Sequence, residues 1–248
     1  MTQNYNFLVG HLKKNDLVPL SQVSELLRQW FDQLGVEIER YGSKTGRVVK
    51  FSEKSYEKTL APGGDGIELF SPRTHPKDEC DETMNGDVSA VFSYRNGLML
   101  SVNATFMDEQ RLIVSFWETA GLPELFEYVY AYQETHAYGT GFALGHYTPD
   151  AEHPFVWPGR SKVDNWADVR RKATDDRYIR DVFDFNAFSQ EKLESLPPHK
   201  RDALETVMKQ LGELKASAGF YRWTVAGPDQ TAARAELVKS DLLAAYVS

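Results

Sequence analysis

Three side chains that could bind a metal ion follow one another closely in the middle of the chain. His146, Asp150 and His153 lie at a spacing around which a loop could fold, and imidazole and carboxylate groups are common ligands of zinc. The surrounding sequence is rich in glycine and proline, and such loops expose polar residues without any ligand. The six histidines of the chain form no H-E-x-x-H or comparable pattern. We therefore expect no metal site in this protein.

A second group of possible ligands is the acidic run formed by Asp78, Glu79, Asp81 and Glu82. It lacks the alternating oxygen ligands and the closing glutamate of an EF-hand calcium loop, so a solvated loop is the favoured interpretation. Cys80 lies inside this run. A nucleophilic cysteine needs a basic neighbour or a helix N-terminus, whereas anionic neighbours disfavour the thiolate. The run predicts neither calcium binding nor covalent catalysis.

Two separated segments imitate the P-D…E-x-K residues of restriction-like nucleases, Pro149-Asp150 and Glu213-Leu214-Lys215. In such nucleases the E-x-K residues lie on a strand, where residues two apart point to the same side. Here the preceding helical pattern predicts that Glu213 and Lys215 lie on a helix, where residues two apart diverge by about 200°. A nuclease would also be expected to carry a basic groove. We therefore expect the imitation to be accidental.

Residues 139–145, with the sequence GTGFALG, are similar to a dinucleotide-binding fingerprint. The third glycine comes one residue late, and the segment follows a predicted helix where the fingerprint requires a strand. The chain also contains no G-x-x-x-x-G-K-[ST] phosphate loop and no G-x-S-x-G nucleophile elbow. The sequence therefore predicts no cofactor and no enzyme activity.

The composition is that of an acidic globular protein. Its 248 residues include 42% hydrophobic and 12% aromatic side chains, which is enough for a continuous core. The formal net charge of -8 argues against a nucleic acid or an anionic membrane as partner, and a basic protein is the complementary expectation. A single cysteine excludes an internal disulfide and suits a reducing compartment. Because no export leader and no long apolar span is recognisable, we expect a cytoplasmic location.

The first third of the chain alternates helical and strand-like patterns. Apolar residues recur at helical spacing over residues 23–34, with Ser21 as the predicted N-cap and Gly35 as the terminator. Two short alternating runs, residues 36–41 and 48–51, predict a hairpin.

Residues 52–87 lack periodicity and predict a long surface segment, with a short strand possible at residues 67–70. Two strand-like runs, residues 88–95 and 98–106, flank Asn96-Gly97, which favours a two-residue hairpin turn.

The middle of the chain is predicted to complete an antiparallel meander and to cover it. Residues 112–117 are interpreted as a third strand, and Pro123 as the first residue of a helix that extends to residue 135. Further on, the patterns predict a helix after Ser189, a longer helix from Pro198, a strand at residues 220–225 and a terminal helix after Gly227.

These patterns predict an α+β fold, in which an antiparallel sheet with covering helices is followed by a more helical C-terminal subdomain. Residues 139–158 are rich in Gly, Pro and aromatic residues and are typical of a boundary. We predict an N-terminal α+β subdomain over residues 1–150 and a mostly helical subdomain with one or two strands over residues 151–248.

The tryptophans divide into three predicted core residues and two, Trp157 and Trp166, that lie in or beside the predicted boundary. Trp30, Trp117 and Trp223 lie on periodic elements, which indicates burial. Trp157 lies in the predicted boundary, where a large ring between polar residues could anchor a partner. Asp175 and Asp176 lie beside a basic run, and such mixed charge is more typical of a solvated face.

Several short segments resemble a known group of proteins. Residues 180–189 (RDVFDFNAFS) and residues 223–225 (WTV), which precede a terminal helix, resemble the C-terminal region of bacterial immunity-type proteins. Residues 115–118 (SFWE), within a predicted strand-strand-strand-helix unit, are similar to an α+β immunity family. That family is encoded beside restriction-endonuclease-like toxin domains of polymorphic toxins and type VI secretion effectors. The resemblance covers about half of the chain and leaves residues 1–85 unexplained.

The resemblance implies an immunity protein that binds a cognate toxin, expected to be a nuclease, and neutralises it. A nuclease toxin needs a cationic surface, so an acidic inhibitor gains electrostatic steering. Two alternatives stay open: a metal-dependent nuclease or other hydrolase with dispersed catalytic residues, and an adaptor protein without a toxin. The predicted partner-binding residues are acidic and aromatic loop residues: Asp78, Glu79, Asp81, Glu82, Trp157, Asp175 and Asp176.

Overall fold

The computed structural model divides into two compact units. Unit 1 comprises Met1–Phe126 and Gln133–Gly139, and unit 2 comprises Glu127–Tyr132 and Thr140–Ser248. The boundary predicted near residue 150 lies outside the described residues and stays a prediction. The structure describes residues 4–13, 18–43, 46–60, 64–74, 86–144, 175–217 and 219–244.

The described part of unit 1 is an antiparallel sheet with helices. Its elements are, in chain order, β1 (Asn4–Leu12), α1 (Leu20–Gln33), β2 (Arg40–Gly42), β3 (Val48–Lys50), α2 (Glu53–Tyr56), β4 (Gly66–Phe70), β5 (Val88–Ser93), β6 (Gly97–Asn103) and α3 (Glu109–Glu118). The strands lie in the order β3-β2-β4-β5-β6-β1, and each neighbouring pair is antiparallel.

One face of this sheet carries a row of apolar side chains. Leu8, Leu100 and Ala90 lie opposite one another on β1, β6 and β5, and directly opposed residues point to the same face. Leu69 of β4 and Tyr41 of β2 continue the row. All five side chains are buried, so the core of unit 1 lies against this face.

Side-chain contacts place the helices of unit 1 over that face. Tyr56 of α2 packs edge-on against Tyr41, with 5.3 Å between the ring centroids. The Tyr56 hydroxyl lies 2.7 Å from Oγ of Ser24 in α1. Trp30 of α1 in turn donates from Nε1 to Oγ of Ser115 in α3 at 2.9 Å. These buried hydrogen bonds hold the three helices in fixed positions.

Several predicted elements of unit 1 are confirmed. The helix of residues 23–34 is α1, and Gly35 ends it with a φ of 68°. The hairpin of residues 36–51 is β2 and β3, and the short strand at residues 67–70 is β4. The N-cap prediction was wrong, because the chain already turns into the helix after Pro19 and Ser21 lies within its first turn.

The β5–β6 hairpin is confirmed, but its turn differs from the predicted one. Ser93 pairs with Gly97, so residues 94–96 form a three-residue connection. Gly97 has a φ of 82°, a left-handed conformation that glycine adopts without strain. A Cβ at this position would also collide with the carbonyl oxygen of Gly10, which is a second reason for glycine.

Two consecutive elements have the opposite type to the predicted one. Residues 112–117, predicted as a strand, lie within α3, and the helix predicted from Pro123 is a 3₁₀ turn followed by the strand β7 (Phe126–Thr135). Asp108 starts α3, since its Oδ1 accepts the backbone N–H of Arg111 at 2.7 Å.

The strand β7 follows from an alternation that the helical interpretation overlooked. Phe126, Tyr128, Tyr130 and Tyr132 alternate along it, and all four rings are buried. Alternation with period two is typical of a strand, and large aromatic residues favour strands. Because the residues between them are also mostly buried, the segment has enough apolar positions to imitate a helical stripe.

The described part of unit 2 is a smaller antiparallel sheet with four further helices. Its elements are β7, α4 (His136–Leu144), β8 (Phe185–Ser189), α5 (Gln190–Ser195), α6 (Pro198–Gln210), β9 (Glu213–Ser217), β10 (Phe220–Thr224) and α7 (Gly227–Lys239). Both β7 and α4 have residues in the two units. The strand order is β7-β8-β10-β9.

Four predicted elements of the C-terminal region are confirmed, although the helix from Pro198 ends at Gln210, before Glu213. Ser189 caps α5, because its Oγ accepts the backbone N–H of Lys192 at 3.1 Å. The helices from Pro198 and Gly227 and the strand at residues 220–225 are α6, α7 and β10. Trp223 is fully buried and donates from Nε1 to the carbonyl oxygen of Leu211 at 2.7 Å.

The predicted α+β fold with an antiparallel sheet and covering helices is confirmed. Of the predicted core tryptophans, Trp30 and Trp223 are buried, whereas Trp117 is only half-buried. The prediction for Trp117 assumed a strand, whereas the residue lies on the helix α3, where its ring packs edge-on against Phe116. Among the helices that the structure describes, none has the length and apolar character needed to span a bilayer.

Candidate functional site

The predicted partner-binding residues fall mostly outside the residues that the structure describes. Asp175 and Asp176 begin a 3₁₀ turn (Asp175–Arg177), and the Asp176 carbonyl oxygen accepts the hydroxyl of Ser195 at 3.4 Å. The remaining predicted residues lie outside the described ranges: Asp78, Glu79, Asp81, Glu82 and Trp157.

The residues considered as metal ligands or as a nucleophile also lie outside the described ranges: His146, Asp150, His153 and Cys80. Within the described ranges, no group of three or more His, Cys, Asp and Glu side chains could hold a metal ion.

The E-x-K residues lie on a strand, contrary to the prediction. The helix α6 ends at Gln210, and Gly212, with a φ of 79°, reverses the chain into β9. Glu213 and Lys215 therefore point to the same side, and their Oε1 and Nζ atoms are 2.8 Å apart. Both side chains are mostly exposed at the last strand of the sheet. The ammonium group neutralises the carboxylate in water, and an exposed pair of this kind is weak.

The glycine-rich segment serves packing in the described structure. Residues 139–144 lie in α4, and a Cβ on Gly139 would overlap the ring of Phe7 in β1. Tyr5 and His136 extend this contact, with edge-on packing at 4.8 Å between ring centroids. The glycine allows α4 to approach the strand closely, which gives residue 139 a role unrelated to phosphate binding.

The segment that carries the resemblance, residues 180–189, begins with a buried charged cluster. We call Arg180, Asp181, Arg234 and Tyr130 the Asp181 cluster. Asp181 is 0% exposed, and its Oδ1 accepts the Val182 backbone N–H at 2.7 Å and Nε of Arg234 at 2.9 Å. Its Oδ2 accepts no hydrogen bond from the described residues.

Arg180 of the same cluster packs against an aromatic ring. Its guanidinium carbon lies 3.7 Å from the ring centroid of Phe142, a cation–π contact. Its Nη1 donates to Oη of Tyr130 at 2.8 Å. The Tyr130 ring stacks on Phe183 at 4.2 Å. The guanidinium of Arg180, which is 2% exposed, is thereby compensated by the ring face of Phe142 and the hydroxyl group of Tyr130.

The helix α7 is attached to this segment through the backbone of Val182. Its carbonyl oxygen accepts Nη2 of Arg234 at 2.8 Å and Nε2 of Gln230 at 3.2 Å. Arg234 therefore bridges a carboxylate and a carbonyl, a use of the guanidinium that lysine cannot reproduce. These contacts fix the position of residues 180–183 against α7.

Burial dominates the electrostatics of the cluster. It raises the pKa of Asp181, although the neighbouring Arg234 guanidinium acts in the lowering direction. Burial also raises the pKa of the Tyr128 phenol, whose Oη donates to the Asp181 carbonyl oxygen at 3.4 Å. Both groups are shielded from solvent, and Arg234 is the partly exposed member of the cluster. The geometry of the cluster suits the positioning of a segment.

Arg180 and Asp181 belong to the segment that resembles immunity proteins, but no local sequence pattern predicted that they form a buried cluster. The available signal was a pair of opposite charges directly before residues 182–188, a segment rich in apolar and aromatic residues. Buried charges need partners, and the partner Arg234 lies 53 residues away in sequence. A single sequence contains no pattern that connects such distant positions.

Comparison with known proteins gives a likeness in fold. No model of a known protein family matches the chain, and no curated protein matches it in sequence. The chain is similar in structure to the Pseudomonas aeruginosa T6SS protein PA0821, with a TM-score of 0.50 and 11% sequence identity. The likeness covers 96% of this chain and 73% of that chain. At this identity it shows a shared fold.

Proposed function

We propose that this protein is an immunity protein of a type VI secretion (T6SS) system, which binds a cognate antibacterial toxin and neutralises it. The observation that carries the proposal is the fold that it shares with a T6SS protein over 96% of its length. The sequence resemblance to immunity proteins supports the same role, and its residues 180–189 include Arg180 and Asp181 of the Asp181 cluster and the strand β8.

The charge of the chain supports a protein partner with a basic surface. A formal net charge of -8 produces a field that accelerates encounter with a cationic protein and slows encounter with nucleic acid. A toxin that acts on nucleic acid presents such a cationic surface. The proposed partner is therefore a nuclease toxin, and association should weaken as salt screens the field.

Growth rescue tests the proposal directly. The protein encoded by the gene adjoining this one is expressed from an inducible promoter, with and without this chain, in a bacterium that lacks both. The expected result is growth arrest that co-expression of this chain relieves, together with a complex that co-purifies. Arrest without relief, or no arrest at all, would overturn the proposal.

A metal-dependent nuclease is the second candidate, because β9 places Glu213 and Lys215 on one side of a strand. Incubation of the purified chain with DNA and RNA in the presence of Mg²⁺ separates the two candidates. Cleavage that Lys215→Met abolishes would favour the nuclease. Lys209→Met is the matched control, since Lys209 is similarly exposed and also pairs with a glutamate, Glu205, at 3.5 Å.

A further inference from the structure

Two exposed apolar side chains of unit 1 lie in α3 and in the turn that precedes it. Four large apolar residues are exposed in the described structure: Val49, Phe106, Val114 and Val238. Phe106, at 45% exposure, lies in the turn that leads into α3, and Val114, at 39%, lies in the middle of α3. Scattered exposed apolar residues are ordinary, but neighbouring ones mark interaction surfaces.

The spacing along α3 aligns these residues with an aromatic side chain. Gln110, Val114 and Trp117 are separated by four and three residues, so they lie on one side of the helix. The opposite side is buried through Leu112 and Phe116. We call Phe106, Gln110, Val114 and Trp117 the α3 surface. Trp and Phe are enriched in protein interfaces, and Trp supplies much of their binding energy.

The α3 surface is held rigidly. Asp108 caps the helix through the Arg111 N–H at 2.7 Å. The backbone N–H of Phe106 donates to the carbonyl oxygen of Asn103 at 2.9 Å. Ser115, on the inner side of α3, accepts Nε1 of Trp30 at 2.9 Å. A surface that is ordered before binding loses less entropy on association.

Acidic side chains lie at both ends of α3. The helix and its cap carry three carboxylates, Asp108, Glu109 and Glu118, and one guanidinium, Arg111. Glu118 is fixed at the end of α3 by Nε2 of Gln33 at 3.2 Å. A carboxylate at this end of a helix opposes the helix dipole, so the dipole does not favour Glu118 at this position. The cations of a basic partner would be attracted to the carboxylates of α3.

We propose that the α3 surface is where the basic partner protein binds, with the exposed Phe106 and Val114 as apolar anchors and the carboxylates at the ends of α3 facing its cationic groups. This inference rests on the proposed function, because the partner is the toxin named there. It assigns the contact to a helix of unit 1 and not to the acidic loop of residues 78–82 or to Trp157.

Substitution of two matched valines tests the assignment. Val114→Arg places a bulky cation at the centre of the α3 surface, and Val238→Arg makes the same change on α7, where Val238 is 37% exposed. Binding to the purified product of the adjoining gene is measured by titration calorimetry. We expect Val114→Arg to weaken binding by about 30-fold or more, the effect of losing one interface hot spot. Val238→Arg should bind as the wild type does.

A second variant tests the same surface in case Val114→Arg does not fold. Phe106→Ala removes an exposed ring and should also weaken binding, while circular dichroism and thermal melting of each variant report its fold. If the wild-type chain binds the partner and both Val114→Arg and Phe106→Ala bind it equally well, the assignment of binding to the α3 surface is wrong. The proposed function is unaffected by that result. Failure of the wild-type chain to bind or to restore growth would overturn the proposed function and this inference with it.

Discussion

In unit 2 the charged side chains of Arg180 and Asp181 are 2% and 0% exposed, whereas in unit 1 the apolar side chains of Phe106 and Val114 are 45% and 39% exposed. Each region departs from the usual distribution of residue types, in opposite directions. The two departures differ in how they are compensated. Arg180 and Asp181 find partners within unit 2, whereas the ring of Phe106 and the methyl groups of Val114 are exposed to solvent.

This difference separates a structural cluster from a binding surface. Buried charges that are satisfied internally contribute to one defined arrangement of the chain, and their loss is felt in folding. Exposed apolar groups on a rigid helix contribute little to folding, and their loss is felt when a partner binds. Substitutions in the two regions should therefore affect different measurements, and each prediction below tests one side of this comparison.

The largest effect on folding is expected for Arg234→Met. The variant leaves the Asp181 carboxylate buried without its guanidinium, and removal of one partner from a buried pair typically costs about 3–5 kcal/mol. Urea unfolding followed by circular dichroism measures this loss. Lys239→Met is the matched control, since its pair with Glu236 at 2.7 Å is exposed and should contribute at most about 1 kcal/mol. Similar losses in both variants would remove the distinction between buried and exposed charges.

The pH dependence of stability gives the next effect. Burial raises the pKa of Asp181 above its ordinary value of 3.8, against the opposing effects of Arg234 and Arg180. The folded protein therefore holds this proton more tightly than the unfolded chain. The bound proton of Asp181 adds to the free energy of unfolding. This addition is fully present below the unfolded-state pKa and is lost as the pH rises through the folded-state pKa.

Asp181→Asn removes this titration. As the pH rises from about 4 to about 7, the stability difference should shift in favour of the variant. The shift should be about 1.4 kcal/mol for each unit between the folded-state and unfolded-state pKa. Urea unfolding of both proteins across this range measures it. Parallel pH profiles for the two proteins would contradict the raised pKa of Asp181.

The sequence predicted the elements of this fold wherever a single periodicity was clear. The helical stripe of α1 and the cap-and-helix pattern at Ser189 each point to one structure. Residues 112–117 do not, since their β-branched and aromatic side chains favour a strand. The helix forms because Asp108 provides an N-cap and because Leu112 and Phe116, four residues apart, are both buried. Tertiary packing decided between two allowed patterns.

The functional surfaces were less predictable than the fold. The predicted strand over residues 112–117 would place Val114 and Trp117 on opposite faces, because residues three apart on a strand point to opposite faces. Only the helix brings them to one side with Gln110. The Asp181 cluster depends on contacts between residues far apart in the chain, which local spacing does not encode. The predicted acidic loop at residues 78–82 lies outside the described residues and stays a prediction.

The smallest effect on folding, and the sharpest contrast with binding, is expected for Glu118→Lys. At the last position of α3 a cation suits the helix dipole better than a carboxylate, so the variant should be more stable by about 0.3–1 kcal/mol. Association with the basic partner should become slower and less salt-dependent, because an attractive carboxylate is replaced by a repelling cation.

Glu194→Lys is the matched control, since Glu194 lies in the last turn of α5 and accepts Nε2 of Gln190 at 2.6 Å. Stopped-flow association and urea unfolding of both variants should show a similar gain in stability but slower association mainly for Glu118→Lys. Equal slowing in the two variants would mean that net charge, and not the α3 surface, governs encounter with the partner.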